Sequence, residues 1–200
     1  MRRRDFIILL AGALGQWPFA VCAQQKAMSV VGYLCDFSPP ANRGDLDRWP
    51  VKQGLIETGF NEGQNMASEY RFAEFHYDRL PALAADLVSR KVDGSVTFSG
   101  TTPARAAKNA TSTIPIVFTN VTDPVGAGLV ASLARPGGNL TGFSNITIEM
   151  QPKRLELICE LVPQATVVAL LLNPDNLWQG EQYVGSMQKR RVQRGSSFRC

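Results

Sequence analysis

The chain has 200 residues, 44% of them hydrophobic and 19% charged, a length that suits one α/β domain and part of a second. The formal net charge of +4 is concentrated at the ends: residues 1–23 hold three arginines and one aspartate, and the last twelve residues hold five basic groups and no acid. The segment between them carries a net charge of −3, which argues against a nucleic-acid partner, and its single histidine makes a zinc centre or a histidine-based triad hard to build.

The N-terminus has the pattern of an export signal. Arg3-Arg4-Asp5-Phe6 matches the twin-arginine motif R-R-x-F, and about ten apolar residues follow before a small-residue stretch that ends at Ala23. A spanning helix needs about 20 apolar residues, and no later segment approaches that length, so we expect no membrane-embedded segment. We predict a periplasmic protein whose signal is cleaved after Ala23. The alternative is a lipid anchor on Cys22, which the bulky Val21 disfavours.

After this signal, short apolar runs alternate with stretches of helical periodicity. Apolar runs bounded by turns are typical of buried parallel strands, and they occur at 28–34 and 114–118. Residues 66–72 alternate between apolar and polar side chains and residues 92–98 are strand-like, so strands are predicted there too. The helical patterns between them cover 44–58, 77–90 and 102–110. Three β-α pairs and a fourth strand predict a parallel sheet with helices on both faces.

The pattern changes beyond Asn120. We predict a short helix at 125–133, a strand at 141–145 and a helix at 148–162. The apolar run 167–172 is then expected to be the first strand of a second α/β domain. The expected organisation is a first lobe over residues 24–145, a crossover and the start of a second lobe over 146–188, and an aberrant basic tail over 189–200.

Ligands of open parallel sheets bind at the carboxyl ends of the strands, and the loops expected there are polar. Thr101 and Thr102 precede a helix whose first N–H groups favour an anion, so they are candidates for holding a ligand carboxylate. Asp123 is a candidate partner for a ligand ammonium group. The candidate ligand-binding residues are Ser38, Gly100, Thr101, Thr102, Asp123 and Asn173.

Each of these candidates also has an ordinary structural explanation. Thr101 or Thr102 can serve only as a helix N-cap, with Pro103 in the first turn. Asp123 can cap the helix that Pro124 would begin. Ser38 and Asn173 are typical turn residues.

An enzyme must also be considered, because Gly126–Ala131 fits the relaxed dinucleotide fingerprint G-x-G-x-x-A, with Glu149 about twenty residues on. That fingerprint needs a strand running directly into its first glycine, whereas Asp123-Pro124 intervenes here, so we favour helix packing by small residues. The sequence has no nucleophile elbow and no Walker loop, and nothing sets two carboxylates at one strand end. We predict a non-enzymatic protein without a cofactor or metal.

Several strings together resemble one family. They are Arg3–Phe6 with Ala23–Gln25, Gly54–Phe60, Glu62–Asn65, Tyr77–Ala84, Thr113–Phe118, Asp123–Val125, Arg135–Gly142 and Lys153–Leu157. From about residue 1 to 188 the chain resembles the ATP-binding-cassette substrate-binding proteins related to the tryptophan and tyrosine binders.

The resemblance implies a two-lobed type I periplasmic binding fold that closes on a small solute, for example an amino acid, by hinge motion. It also implies delivery of that solute to a membrane ABC permease, and we expect a monomer. By position, the loops holding Ser38, Gly100, Thr101, Thr102 and Asp123 would contact the ligand from the first lobe, and Asn173 from the second.

The chain departs from the family pattern in three places. The first loop, Cys35–Pro40, is bulkier and more acidic than expected, which leaves the ligand open. Trp49-Pro50 interrupts the first predicted helix, which is expected to start late, at Pro50. Residues 189–200 have no periodicity where relatives continue through a second lobe. We expect a truncation or frameshift near Lys189 that impairs the cleft or, at the extreme, leaves a non-functional gene remnant.

Overall fold

The computed structural model describes residues 28–42, 44–173, 176 and 180–187. The signal, its cleavage site after Ala23, Cys22 and the tail from 189 to 200 lie outside the described residues, so what was predicted for them stays a prediction. Within the described part of the chain, none of the helices combines the length and the apolar character that crossing a bilayer requires.

Five parallel strands form a sheet in the order β2-β1-β3-β4-β5. The strands are β1 (Ser29–Cys35), β2 (Met66–Phe72), β3 (Gly94–Phe98), β4 (Ile116–Thr122) and β5 (Leu140–Asn145). The sequence predicted the position of each, with errors of a few residues at the ends. Because all five strands run in the same direction, their carboxyl ends and the loops that follow lie along one edge of the sheet.

The helices are α1 (Gly44–Asp47), α2 (Pro50–Glu57), α3 (Leu80–Ser89), α4 (Thr101–Ala110) and α5 (Thr147–Leu161), with a 3-10 turn at Tyr77–Arg79. Residues 180–187 are also helical. The expected late start at Pro50 is confirmed: Pro50 opens α2, where its missing N–H costs no helical hydrogen bond. Gly59 lies just past the end of α2 with a φ of 90°, a left-handed conformation that glycine adopts without strain.

Alternate strand residues enter two different hydrophobic cores. Leu34 and Phe118 are fully buried on the face that α3 and α4 cover. Tyr33 and Cys35 are fully buried on the opposite face, where Trp49, just before α2, lies with its ring 6.3 Å from that of Tyr33. Since consecutive strand residues point to opposite sides, the sheet carries helices on both faces, as predicted.

The helix predicted at 125–133 is wrong. This segment forms turns, in which the Gly128 N–H donates to the Val125 carbonyl and the Leu129 N–H donates to the Pro124 carbonyl, both at 2.9 Å. Gly128 has a φ of 67°, and a right-handed helix cannot continue through that left-handed conformation. The glycine string at 126–131 therefore opens no helix, which the dinucleotide fingerprint requires.

The strand predicted at 167–172 is also wrong. This segment has no regular structure, and two of its apolar residues are almost fully in solvent: Val167 is 83% exposed and Leu171 is 97% exposed. Backbone hydrogen bonds to a neighbouring strand define a strand, and the five-stranded sheet of the described residues does not include this segment. An apolar run by itself was therefore not enough to predict a strand here.

Candidate ligand-binding cleft

A polar cavity of about 230 Å³ lies at the carboxyl-terminal edge of the sheet. Its walls come from the ends of β3, β4 and β5, the start of α5 and two residues near the end of the described chain. The lining residues are Ser99, Gly100, Thr101, Asn120, Thr122, Asn145, Thr147, Ile148, Asn176 and Tyr183. All of them are uncharged, so the cavity offers hydrogen bonds rather than an ion-pair partner in its immediate wall.

Three residues of the cavity wall have left-handed backbone conformations. Ser99 and Gly100, directly after β3, have φ values of 70° and 108°, and Asn120 has a φ of 58° where the pairing of β4 with β5 shifts register. Serine adopts this region only at a cost, and such strain concentrates at ligand-binding sites because the surrounding fold has to hold it. The strain makes this edge the candidate ligand-binding edge of the sheet.

Asn145, the last residue of β5, organises one side of the cavity. Its amide nitrogen donates to the Asn120 carbonyl at 3.1 Å and to Asn120 Oδ1 at 2.7 Å. Its own Oδ1 accepts from the Thr122 hydroxyl and from the Thr147 N–H, each at 3.1 Å. Both ends of the amide are used, so the ends of β4 and β5 and the first turn of α5 are held together.

The first turn of α4 begins at the cavity wall. Its N-cap is Gly100, which provides no side-chain cap, so neither Thr101 nor Thr102 is the cap. The N–H groups of the first turn have no partner within the helix, and they form the positive end of its dipole. A ligand carboxylate placed beside Thr101 would meet these donors.

Comparison with known proteins identifies the family of the chain. Residues 44–181 match the family of ABC transporter substrate binding proteins. The chain is also 34% identical to the tyrosine-binding protein of Clostridioides difficile strain R20291, over 83% of this chain and 51% of that protein. The chain belongs to the ABC transporter substrate-binding protein family. The family resemblance of the sequence is therefore confirmed.

Two solved structures show a similar fold. A conserved domain protein from Vibrio cholerae matches with a TM-score of 0.68 and 33% identity, over 82% of this chain and 54% of that one. The ABC domain in complex with L-Trp from Streptococcus pneumoniae matches with a TM-score of 0.65 and 27% identity, over 82% of this chain and 55% of that one. The chain thus spans about half the length of the relatives it matches.

Two of the residues predicted to bind the ligand lie in the cavity wall of this substrate-binding protein. Gly100 and Thr101 line it, whereas Thr102, the next residue of α4, does not. Ser38 and Asn173 are exposed and lie outside the lining.

Asp123 makes a local contact. Its Oδ1 accepts a hydrogen bond from the Gly126 N–H at 2.8 Å, and its φ of 49° is left-handed. The carboxylate thereby caps the turns that follow β4 and is not among the residues that line the cavity.

Sequence reasoning missed the contribution of β4 and β5. Asn120, Thr122 and Asn145 stand at the carboxyl ends of these strands, where the general rule for parallel sheets places ligand contacts. The signal was present, but the fourth strand was predicted to end at Phe118, four residues early, and the end of β5 was not considered. Tyr183, beyond the sheet, carried no such signal.

Proposed function

We propose that this chain is the extracytoplasmic solute-binding component of an ABC import system and that it binds an amino acid in the polar cavity. The observation that carries the proposal is the cavity itself, at the edge where the strained loop after β3 leads into the uncapped first turn of α4. A binding protein needs such a site and no reacting groups.

The chemistry of the cavity favours a small polar solute. Its volume of about 230 Å³ is below the roughly 300–1,000 Å³ usual for drug-sized ligands. Hydroxyl and amide side chains dominate the wall, and Ile148 and Tyr183 add apolar surface. A ligand with a carboxylate, an ammonium group and a side chain matches these features.

Two relatives support an amino acid in particular. One of them is named as a tyrosine-binding protein, and a solved family structure holds L-Trp. Both match over about half of their length, so the whole cleft and the delivery of the ligand to a permease are part of the proposal. The twin-arginine pattern at Arg3-Arg4 supports export to the periplasm, where such a protein would act as a monomer.

The test is a titration of the ¹⁵N-labelled chain with each of the common amino acids, followed by NMR, which detects weak binding. We expect saturable shifts at Thr101, Asn120 and Asn145 for one ligand class. Thr101→Val removes a hydroxyl from the wall at nearly constant volume and should weaken binding by about tenfold or more, the effect of one hydrogen bond to a charged group.

Thr102→Val is the matched control, because Thr102 is the next residue of the same helix and does not line the cavity. It should leave the affinity within about twofold. Absence of saturable shifts for every amino acid, or equal losses in both variants, would refute the proposal.

A further inference from the structure

The side-chain amide of Asn145 can adopt only one orientation. Its Nδ2 lies 3.1 Å from the Asn120 carbonyl oxygen, which can only accept a hydrogen bond, and its Oδ1 lies 3.1 Å from the Thr147 N–H, which can only donate one. Turning the amide over would place two acceptors together at Asn120 and two donors together at Thr147. Backbone groups on both sides therefore fix the positions of its donor and its acceptor.

This orientation determines what Thr122 can offer a ligand. The Thr122 hydroxyl lies 3.1 Å from Asn145 Oδ1, and because that oxygen only accepts, the hydroxyl must donate its single proton to it. Thr122 Oγ1 can then only accept a hydrogen bond from a further partner. Thr122 lines the cavity and is only 7% exposed, so bulk water competes little for this oxygen.

The same orientation gives Asn120 the opposite character. Asn120 Oδ1 accepts from Asn145 Nδ2 at 2.7 Å, so the Asn120 amide is turned with its oxygen toward Asn145. Its nitrogen is left to donate elsewhere, and within the described residues no hydrogen bond uses it. A Cβ at Gly100 would lie 3.7 Å from the Asn120 carbonyl oxygen, so the first turn of α4, whose N–H groups also donate, begins next to Asn120.

The acceptor and the donor lie close together in the cavity wall. Thr122 and Asn120 are hydrogen-bonded to the two ends of one planar amide group, that of Asn145, and both line the same cavity. Their spacing suits a ligand that carries a hydrogen-bond donor and an acceptor on neighbouring atoms. An α-amino acid has this arrangement, because its ammonium group and its carboxylate are attached to one carbon.

We propose that the Asn145 amide fixes the hydrogen-bond polarity of the cavity, so that an α-amino acid lies with its ammonium group at Thr122 and its carboxylate at Asn120. Asn145 is then a positioning residue, since it sets which of the two side chains accepts and which donates. The reversed orientation would bring the carboxylate against Thr122 Oγ1 with no proton between the oxygens, and that repulsion disfavours it. The inference rests on the proposed function and adds the orientation of the ligand.

Three related probes test the orientation by NMR titration of the ¹⁵N-labelled full chain. They are L-tryptophan, tryptamine, which lacks the carboxylate, and indole-3-propionate, which lacks the ammonium group. Thr122→Val removes the hydroxyl at nearly constant volume. We expect it to weaken the binding of tryptophan and tryptamine about tenfold or more, the scale of a hydrogen bond to a charged group, and to leave indole-3-propionate within about twofold.

Asn120→Gly removes the other side chain and should give the opposite selectivity. Glycine adopts the left-handed φ of 58° without strain, so the backbone of the wall is preserved. We expect tryptophan and indole-3-propionate to bind about tenfold or more weakly, and tryptamine to stay within about twofold. Thr122→Ser retains the hydroxyl and should bind all three probes as the unaltered chain does.

Asn145→Ala tests the positioning role. Without the amide, the Thr122 hydroxyl is free to donate to a carboxylate as well as to accept from an ammonium group. Adding Thr122→Val to Asn145→Ala should therefore weaken tryptamine and indole-3-propionate by similar factors. Thr119→Val is the control for the change from threonine to valine in β4, because its hydroxyl donates to the Thr97 carbonyl at 3.0 Å and Thr119 does not line the cavity. It should leave all three affinities within about twofold.

Thermal melting and a dispersed spectrum establish that each variant is folded. If Thr122→Val weakens all three probes equally, or weakens indole-3-propionate the most, the orientation is overturned while the proposed function stands. If Thr122→Val keeps its selectivity for tryptamine in the Asn145→Ala background, the positioning role of Asn145 is overturned. If the unaltered chain binds none of the common amino acids, the proposed function itself fails and the inference fails with it.

Discussion

Asn145 and Asn120 are joined by two hydrogen bonds from one amide group, at 3.1 Å to the backbone carbonyl and 2.7 Å to the side-chain oxygen. The contact crosses from β5 to β4 at the point where their register shifts. It therefore stabilises the left-handed conformation of Asn120 in the wall of the cavity. A residue at a strand end thus shapes the site without requiring any charge.

Removing the side-chain amide of Asn145 should lower the stability of the fold and disturb the wall of the cavity. Asn145→Ala leaves the Thr147 N–H and the Asn120 oxygens without their partner, so we expect the free energy of unfolding to fall by about 1–3 kcal/mol. Chemical denaturation measures this. Asn109→Ala, at an exposed position of α4, should stay within about 0.5 kcal/mol. If Asn145→Ala also changed the free energy of unfolding by no more than about 0.5 kcal/mol, the role assigned to Asn145 would be contradicted.

Lys52 forms a buried ion cluster that ties α2 to the turn before β2. Its Nζ lies 3.1 Å from Asp47 Oδ1 and 3.1 Å from Glu62 Oε2, and its side chain is 6% exposed. Lys52→Met should lower the free energy of unfolding by about 1.5–3 kcal/mol, because hydrogen bonds to charged groups are lost.

Lys153 provides the comparison for Lys52. Its Nζ lies 3.2 Å from Glu156, yet its side chain is 49% exposed. Lys153→Met should therefore cost less than about 1 kcal/mol in the same denaturation experiment. If the two lysine variants lose equal stability, burial is not what makes the Lys52 cluster important.

The buried Asp36 carboxylate should make stability depend on pH. Burial raises its pKa above the usual 3.8, so as pH rises past 3.8 the unfolded chain loses this proton before the folded one does, and folding becomes less favourable. Asp36→Asn should remove that cost. We expect the variant to melt at a higher temperature than the unaltered protein near pH 7, with the difference shrinking toward about pH 4.

The difference in melting temperature between the unaltered protein and the Asp36→Asn variant reports on Asp36 alone. Hydrogen bonds lower the pKa of Glu62 and Asp86, and these groups contribute the opposite trend, with stability lost as pH falls through their folded pKa values. Both proteins share that trend, so it cancels in the comparison. A difference in melting temperature that does not vary with pH would argue against a buried charge at Asp36.

Gly142 of β5 should not tolerate a side chain. A Cβ there would overlap the backbone carbonyl oxygen of Phe118 on β4, and neither backbone can move without breaking the pairing. Gly142→Ala should lower the free energy of unfolding by at least about 1–3 kcal/mol. Gly138→Ala is the control, because nothing lies within 4 Å of a Cβ at that position. Similar stability of the two variants would be evidence against this close approach.

The local periodicity of the sequence was sufficient to predict most of the strands and helices. The second strand was predicted with the bounds it has, Met66–Phe72, and the break of the first helix at Pro50 followed from proline chemistry alone. The failures, 125–133 and 167–172, are segments where the local pattern was compatible with regular structure but glycine geometry or the lack of a neighbouring strand decided otherwise.

For the site, sequence reasoning found the loop after β3 and placed Gly100 and Thr101 in it. It did not find Asn145, because the local sequence around an asparagine at a strand end does not show whether its side chain lies in solvent or contacts the end of another strand. It noted the acidic character of the loop holding Asp36 without giving that residue a role, since burial is a property of the loop after β2 folding over it.

The sequence by itself determined the alternation of strands and helices, the parallel sheet and the family, because these depend on side-chain periodicity and on strings of neighbouring residues. Only the tertiary structure decided which polar residues share the cavity and which carboxylate is buried behind it. Those properties depend on distances between strand ends that are far apart in the chain, such as Asp36 and Ser99, and no local pattern encodes them.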